Sequence, residues 1–218
     1  MSPARALVFD LDGTLVDSRA DLAAAVNRTR ADLDLPPLAL DEIVAMVGEG
    51  ARRLVSRALD GLEGEPLERA LARFLFHYEP RCTVETRPYP GLSGLLAAEA
   101  ARRPLALLTN KPERTSRRIL DAFGWSPLFS ALVGGDTLPV RKPDPGGLLW
   151  IAERLGLPAG ELALVGDTRI DAETATAAGC RFVWVEWGFA RGAERDELDR
   201  GPRAATAAEL GRRLAAGP

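Results

Sequence analysis

Apolar residues along this chain fall into two patterns, short continuous runs and longer segments with an apolar position every three or four residues. Short continuous runs are typical of strands that are buried on both faces of a parallel sheet. They occupy residues 4–9, 105–108, 131–133, 162–165 and 182–185. The periodic segments predict helices that pack one apolar face against such a sheet. Five of them follow the first strand run at a distance, at residues 92–101, 113–123, 147–155, 172–178 and 207–215.

Strands that alternate with helices predict an α/β fold with a parallel, doubly wound, Rossmann-like sheet. The first strand run is separated from the others by a block of helical patterns, which lies at residues 19–33, 40–47, 51–59 and 65–78. We therefore expect an α/β core of residues 1–16 and 85–218, with an α-helical domain of residues 17–84 inserted after the first strand. Residues 198–208 carry neither pattern and predict a loop.

Composition indicates an ordinary globular protein, since 46% of the 218 residues are hydrophobic and 27% are charged. A net charge of −3 gives no reason to expect a nucleic acid or an anionic membrane as a partner. No apolar segment has the length of a transmembrane helix, and acidic residues interrupt the apolar stretch near residue 10, which argues against a signal peptide. Cys82 and Cys180 lie far apart without a partner motif, so we expect a reducing, cytoplasmic location. The sequence is compatible with a monomer or a homodimer.

The first strand run ends in the segment Asp10-Leu11-Asp12-Gly13-Thr14. Carboxylates spaced two residues apart at the end of a strand point to the same side of the sheet edge, where open α/β sheets bind their ligands. Two neighbouring acids repel each other unless a cation lies between them or they share a proton. Gly13 allows a sharp turn at this point. An ordinary turn is the alternative, because Asp and Gly are common in turns.

Two later strand runs also end in polar residues, and parallel strands bring such residues to one edge. Thr109 and Asn110 follow residues 105–108, where a helix N-terminus favours an anion, although either residue could instead cap that helix. Asp167 and Asp171 follow residues 162–165 and lie one helical turn apart if a helix starts near Thr168. The alternative for these two acids is an interaction with the helix dipole alone.

Lysine is rare in this chain, because Lys111 and Lys142 are the two lysines among its 28 basic residues. Lysine places a compact point charge where arginine places a planar fork, and a single phosphoryl oxygen suits the former. Pro143 and Pro145 predict a rigid loop that holds the ammonium of Lys142 in place. Chance is the alternative, and it has more weight for Lys111, which is supported only by its position beside Thr109.

The predicted sheet edge collects four acids, two hydroxyls and a lysine, namely Asp10, Asp12, Asp167, Asp171, Thr14, Thr109 and Lys142. A site without histidine or cysteine is unsuited to Zn²⁺, whereas hard carboxylate oxygens suit Mg²⁺, which pairs with substrate phosphate. A carboxylate can also attack phosphorus to give an aspartyl phosphate. The combination predicts metal-assisted phosphoryl transfer.

In this order and spacing, the segments resemble the four motifs of the haloacid dehalogenase-like hydrolase superfamily. The matching residues are 10–14, Thr109, Lys142, and Asp167 with Asp171. The resemblance covers essentially the whole chain, and the inserted helical block corresponds to the family's α-helical cap. Four further segments are similar to those of bacterial phosphoglycolate phosphatases, at residues 47–51, 87–91, 109–112 and 135–143.

The resemblance implies a two-step hydrolysis of a small phosphate monoester, which in the phosphoglycolate phosphatases is 2-phosphoglycolate. Asp10 would attack phosphorus, and Asp12 would protonate the leaving alkoxide and then deprotonate the attacking water. The resemblance also implies Mg²⁺ as the cofactor, held by Asp10, the Asp12 carbonyl and Asp167, with Asp171 in support.

The same resemblance implies which residues hold the phosphoryl group. Thr109 and Lys142 would bind its oxygens and stabilise the developing charge. The remaining candidates lie beside them in the motifs, and they are Gly13, Thr14 and Asn110.

The rest of the substrate must be recognised by the cap, since the core motifs account only for phosphate and metal. In the loop of residues 48–53, which joins two predicted helices, either Arg52 or the backbone amides are the candidate partner for a substrate carboxylate. The alternative is that Arg52 and Arg53 are solvated helix residues. A sugar-phosphate phosphatase and a β-phosphoglucomutase-like phosphomutase share the core acids and remain alternatives. A dehalogenase would not need Asp12, and a phosphonatase needs a cap lysine, which residues 17–84 lack. A catalytically silent binding module would have lost at least one of these residues, and none is lost.

Overall fold

The computed structural model describes residues 3–216 of the chain. The strands in this range are β1 (Ala6–Phe9), β2 (Val16–Asp17), β3 (Arg87–Pro88), β4 (Leu105–Leu108), β5 (Phe129–Val133), β6 (Leu162–Gly166), β7 (Arg181–Val185) and β8 (Arg203–Ala204). The α-helices are α1 (Arg19–Ala31), α2 (Leu40–Val44), α3 (Ala51–Ala58), α4 (Gly64–Tyr78), α5 (Leu92–Ala100), α6 (Glu113–Ala122), α7 (Gly146–Leu155), α8 (Arg169–Ala178), α9 (Gly192–Leu198) and α10 (Ala207–Ala216). None of these helices combines the length and the apolar composition that a membrane span requires.

Six strands of the described chain form one parallel sheet in the order β5-β4-β1-β6-β7-β8. The chain builds the sheet outward from β1 in one direction through β4 and β5, and then in the other direction through β6, β7 and β8. The strand order therefore reverses beside β1, and ligands of doubly wound sheets bind at such a reversal. The predicted α/β, doubly wound fold is confirmed.

Burial on both faces explains why the strands are continuous apolar runs. In β1, Leu7 and Phe9 belong to the core cluster on one side of the sheet, whereas Ala6 and Val8 belong to the cluster on the other side. All four side chains are fully buried. With helices packed on each face, polar groups are left only at the strand ends, where the candidate site residues begin.

Helices α1 to α4 lie between β2 and β3, two short strands that pair antiparallel with each other. This ribbon marks where the chain leaves the sheet and returns to it. The buried carboxylate of Asp21 in α1 accepts hydrogen bonds of 2.8–3.0 Å from the backbone N–H groups of Glu85 and Thr86 and from the Thr86 hydroxyl. The start of the helical segment is therefore tied to the returning chain. The division into a core and a cap at residues 17 and 84 remains a prediction.

Several local features differ from the sequence prediction, and helix α9 was not predicted at all. Residues 198–208, predicted as a loop, include the end of α9 and the short strand β8, which pairs with β7. The ribbon of β2 and β3 was not predicted, because two-residue strands are too short to show a period. Helix α8 begins three residues before the apolar pattern of residues 172–178 and directly after Thr168, as the spacing of Asp167 and Asp171 required. The Thr168 and Asp171 side chains cap its first turn.

Candidate active site

The candidate site lies at the carboxyl ends of β1, β4 and β6, where the chain turns away from the sheet. Asp10 follows β1, Thr109 follows β4, and Asp167 follows β6. All three residues are buried, at 8%, 3% and 0% exposure. The structure therefore brings the predicted strand-end residues together at one edge, as the parallel topology requires.

Asp167 occupies a pocket that two glycines make possible. A Cβ atom on Gly13 would lie 2.2 Å from Asp167 Oδ2, and one on Gly188 would lie 2.1 Å from Asp167 Cβ. The carboxylate accepts hydrogen bonds from the Thr14 hydroxyl at 2.9 Å and from the Phe189 N–H at 2.7 Å. These contacts hold Asp167 in one position. Thr14 therefore orients a carboxylate in this structure, and its predicted contact with phosphate stays a prediction.

Lys142 lies between two of the acids. Its ammonium is 2.8 Å from Asp10 Oδ1 and 2.6 Å from Asp171 Oδ1, and the residue is 4% exposed. The two carboxylates raise the pKa of Lys142 above its usual value despite burial, so this lysine remains charged. Asp171 also accepts hydrogen bonds from the Thr168 N–H and hydroxyl. It therefore both caps α8 and faces the site.

Three carboxylates form a compact cluster at this edge. One oxygen from each of Asp10, Asp167 and Asp171 lies within 4.8 Å of the other two. Burial, followed by repulsion from neighbouring acids, raises the pKa of Asp167 well above its usual value. Burial also raises the pKa of Asp10 to about 6, although Lys142 opposes the shift. This excess of buried negative charge, presented by hard oxygen ligands, fits a divalent cation.

Asp12 belongs to a second network, which links the sheet edge to the helical segment. The Ser18 hydroxyl donates to Asp12 Oδ1 at 2.6 Å, and the Lys111 ammonium donates to both Asp12 oxygens at 2.9 and 3.0 Å. Lys111 also donates to the Tyr78 hydroxyl at 2.5 Å. Burial raises the pKa of Tyr78 well above its usual value, so the phenol stays neutral beside the ammonium. Only its position beside Thr109 supported Lys111 in the sequence, whereas the structure places it, buried, against Asp12.

Asn110 contacts both the helical segment of residues 17–84 and the loop that carries Lys142. Its side-chain amide donates to the Gly48 carbonyl and to the Lys142 carbonyl, each at 2.9 Å. A Cβ on Gly50 would lie 2.9 Å from the Asn110 carbonyl oxygen, so the loop after α2 approaches this backbone closely. Thr109 Oγ1 accepts a hydrogen bond from the Lys111 N–H at 3.3 Å. This bond lies ahead of α6, whose N-cap is Pro112 without a side-chain hydrogen bond, so neither Thr109 nor Asn110 caps that helix. Predicted phosphate contacts of Thr109 and Asn110 stay predictions.

A cavity of about 40 Å³ lies between the sheet edge and the helices α1, α3 and α4. Its walls include the charged residues Asp10, Asp12, Lys111 and Lys142. A water needs roughly 10–15 Å³ when measured in the same way, so the enclosed space holds about three waters. A ligand larger than three waters therefore requires the helices to move away from the sheet edge.

Arg52 is not brought to this cavity. It is an exposed residue of α3, and its guanidinium pairs with exposed Glu68 of α4. The position matches the solvated alternative more closely than the contact with a substrate carboxylate, which stays a prediction.

The contacts of Tyr78, Ser18 and Gly188 were not predicted. Tyr78 is the last residue of the helical pattern at residues 65–78, and nothing in the sequence relates it to Lys111, 33 residues away. Gly188 lies 21 residues beyond Asp167, outside every recognised motif. The rarity of lysine, together with its position beside Thr109, was the sequence signal that pointed to Lys111.

Comparison with known proteins decides the family. The model of the haloacid dehalogenase-like hydrolases matches residues 4–179, which is most of the chain. This chain belongs to the haloacid dehalogenase-like hydrolase family. It is therefore an enzyme, a hydrolase, and phosphatases of this family generally use a divalent metal, for which the three-acid cluster provides ligands.

Individual relatives of this family member cover most of its length. It is 42% identical to the phosphoglycolate phosphatase of Rhodospirillum rubrum over 196 residues, which cover 86% of this chain and 81% of that protein. It is 45% identical to the phosphoglycolate phosphatase of Cereibacter sphaeroides, over 84% and 85% of the two chains. The crystal structure of a predicted phosphoglycolate phosphatase from Haemophilus somnus superposes with a TM-score of 0.90 at 31% identity, covering 97% and 98% of the two chains.

Proposed function

We propose that this hydrolase is a Mg²⁺-dependent phosphatase that hydrolyses 2-phosphoglycolate through an aspartyl phosphate on Asp10. The observation that carries the proposal is the convergence of Asp10, Asp167, Asp171 and Lys142 at the edge of the sheet. A nucleophilic carboxylate, a buried ammonium and a cluster of hard oxygens are the groups that attack and charge stabilisation at phosphorus require.

In the first step, a carboxylate oxygen of Asp10 attacks phosphorus and the bond to the substrate alkoxide breaks. Asp12 donates a proton to that alkoxide, and Ser18 and Lys111 fix the direction of its carboxyl group. In the second step Asp12 takes a proton from water, which attacks phosphorus and releases Asp10 and phosphate. Lys142 and Thr109 bind phosphoryl oxygens throughout.

Asp10, Asp167, Asp171 and the Asp12 carbonyl would hold Mg²⁺ in this proposal. The bound ion supplies positive charge that offsets the repulsion between the Asp10 carboxylate and the phosphoryl oxygens. The donor set is made of oxygens, as Mg²⁺ prefers, and no histidine or cysteine belongs to the three-acid cluster.

Residues 17–84 would act as a cap that closes over the site and excludes bulk water. Contacts between this segment and the strand ends support the idea, because Asn110 holds the Gly48 carbonyl and Lys111 holds the Tyr78 hydroxyl. Substrate would then enter when these two contacts open.

The names of the relatives support 2-phosphoglycolate as the substrate. The cavity must widen to admit even this ester. The nine non-hydrogen atoms of 2-phosphoglycolate are far fewer than those of a hexose phosphate, which would force the helices further from the sheet edge. Phosphate release should be measured from a panel of small phosphate monoesters and sugar phosphates, with and without Mg²⁺. We expect 2-phosphoglycolate with Mg²⁺ to give the highest kcat/KM. A preference for sugar phosphates would reject the substrate, and absence of phosphate release from every ester would reject the phosphatase.

A further inference from the structure

The walls of the cavity differ sharply in polarity between the sheet edge and the helical segment. From residues 17–84, the lining side chains are apolar except for one, and include Leu22, Val47, Leu54, Phe74 and Leu75. The exception is Tyr78, whose hydroxyl contacts Lys111. A ligand with several hydroxyl groups would leave most of them without partners on this wall, which costs free energy.

Within residues 3–216, the cations that line this cavity are Lys111 and Lys142. Lys142 is held between the carboxylates of Asp10 and Asp171, on the side where the phosphoryl group reacts. Lys111 faces a single carboxylate, that of Asp12, and a neutral phenol. Its ammonium lies 4.5 Å from the centre of the Tyr78 ring, and both residues are buried, at 5% and 2% exposure. Lys111 is therefore the cation that an additional anionic group in this cavity can reach.

We propose that Lys111 and the Tyr78 hydroxyl form the subsite that binds the carboxylate of the substrate. This inference rests on the proposed phosphatase function and replaces Arg52 as the residue that recognises the second charge. An ammonium has three donors, two of which point to Asp12 and one to Tyr78. On binding, the substrate carboxylate takes the place of the Tyr78 oxygen as acceptor, and the Tyr78 O–H becomes a second donor to it.

This subsite accounts for a preference for carboxylate-bearing esters with two residues, Lys111 and Tyr78. A carboxylate receives a charged and a neutral hydrogen bond in a buried space, whereas an uncharged ester leaves Lys111 without an anion beyond Asp12. A hydrogen bond to a charged group strengthens binding by roughly 10- to 100-fold relative to a ligand that cannot form it. We expect a preference of that size for carboxylate-bearing esters of the same length.

The test must separate carboxylate recognition from the contact between Lys111 and Asp12. Binding of two non-reacting ligands, 3-phosphonopropionate and propylphosphonate, should be measured by calorimetry in the presence of Mg²⁺. The pair differs by the carboxylate, and no turnover is needed, so an effect on Asp12 chemistry does not enter. Wild-type protein should bind 3-phosphonopropionate at least about tenfold more tightly.

Lys111→Met keeps side-chain length and removes the charge, and it should abolish this preference. The readout is the ratio of the two affinities within each variant, so any effect on phosphonate binding that both ligands share cancels. Tyr78→Phe should reduce the preference by a smaller factor. Arg52→Met is the matched variant of the rival cation and should keep the preference in full. Thermal unfolding checks that each variant is folded.

Two results of the binding experiment would overturn the inference, namely a preference that survives Lys111→Met or one that is lost in Arg52→Met. Hydrolysis by the wild type tests the phosphatase itself separately. The kcat/KM ratio of 2-phosphoglycolate to its neutral carboxamide analogue should fall in Lys111→Met by at least about tenfold. If phosphate is released from both esters at an unchanged ratio, the subsite is wrong although the phosphatase stands. If no ester is hydrolysed by the wild type, the proposed function fails whatever the ligands show.

Discussion

Gly188→Ala should disable metal binding without altering any acidic residue. The added Cβ would lie 2.1 Å from Asp167 Cβ and 2.4 Å from Asp167 Oδ2. Carbon atoms in contact lie about 3.5–4.0 Å apart, so Asp167 must retreat by more than about 1 Å. The same movement breaks the 2.7 Å hydrogen bond from the Phe189 N–H to Asp167. A displacement of this size at a reacting centre costs on the order of 10²-fold in rate.

The measurements are Mg²⁺ affinity by calorimetry, phosphate release from 2-phosphoglycolate and thermal unfolding. We expect Mg²⁺ affinity and kcat/KM to fall together by about 10²-fold. Overpacking should lower stability by about 1–3 kcal/mol, which leaves the variant folded for assay.

Gly94→Ala is the matched control, because Gly94 is an exposed position in α5 with no atom within 4 Å of an added Cβ. This variant should keep full Mg²⁺ affinity and gain stability, since Ala favours a helix by roughly 0.5–1 kcal/mol over Gly. A folded Gly188→Ala protein with unchanged Mg²⁺ affinity and activity would refute the assignment of Asp167 to the metal site.

Further outcomes are expected from the same geometry. Asp10→Asn should abolish turnover because an amide cannot form the acyl phosphate. Asp12→Asn should lower kcat by roughly 10²–10⁴-fold, the usual effect of removing a general acid–base residue. Full activity of either variant in steady-state assays would contradict the role of that residue. Lys142→Arg should lower kcat/KM by more than about tenfold although charge is kept, because a planar fork does not fit between Asp10 and Asp171; the same assay on the exposed Arg117→Lys should show no change. The metal-free protein should lose stability as the pH rises from 3.8, the ordinary pKa of Asp, through about 6, because the folded state holds the Asp10 proton more tightly. Mg²⁺ binds deprotonated carboxylates, so it should bind more weakly as the pH falls below 6, by at least about tenfold for each pH unit, because the pKa of Asp167 is raised as well as that of Asp10. Calorimetry that finds no pH dependence would contradict the cluster.

Elements with a strong pattern were predictable from the sequence, and those without one were not. The sheet strands β1 and β4 to β7 are continuous apolar runs because helices cover both faces, and this burial leaves a signal in the sequence. Strands β2, β3 and β8 have two residues each, too few to show a period. Helix α9 carries no apolar run, and Leu198 is its one buried residue.

The residues of the candidate site also divide into those that the sequence predicted and those that it did not. Acids at strand ends were predictable, because parallel strands must deliver them to one edge, and Asp10, Asp167 and Asp171 meet there. Contacts that depend on how a helix packs against that edge were not, since the meeting of Tyr78 with Lys111 is fixed by the placement of α4. The position of Arg52 was not predictable for the same reason. The sequence suggested a cation near the substrate, whereas the packing of α3 placed Arg52 beside Glu68.

The proposed mechanism requires Asp10 to carry a covalent phosphate during turnover. Rapid acid quenching should be applied to the enzyme during Mg²⁺-supported turnover of 2-phosphoglycolate labelled in the phosphoryl group, followed by peptide mapping. We expect acid-stable label on the peptide that contains Asp10, absent in Asp10→Asn and absent when Mg²⁺ is removed. Phosphate release by the wild type with no protein-bound label at any quench time, or label on a residue other than Asp10, would contradict the mechanism.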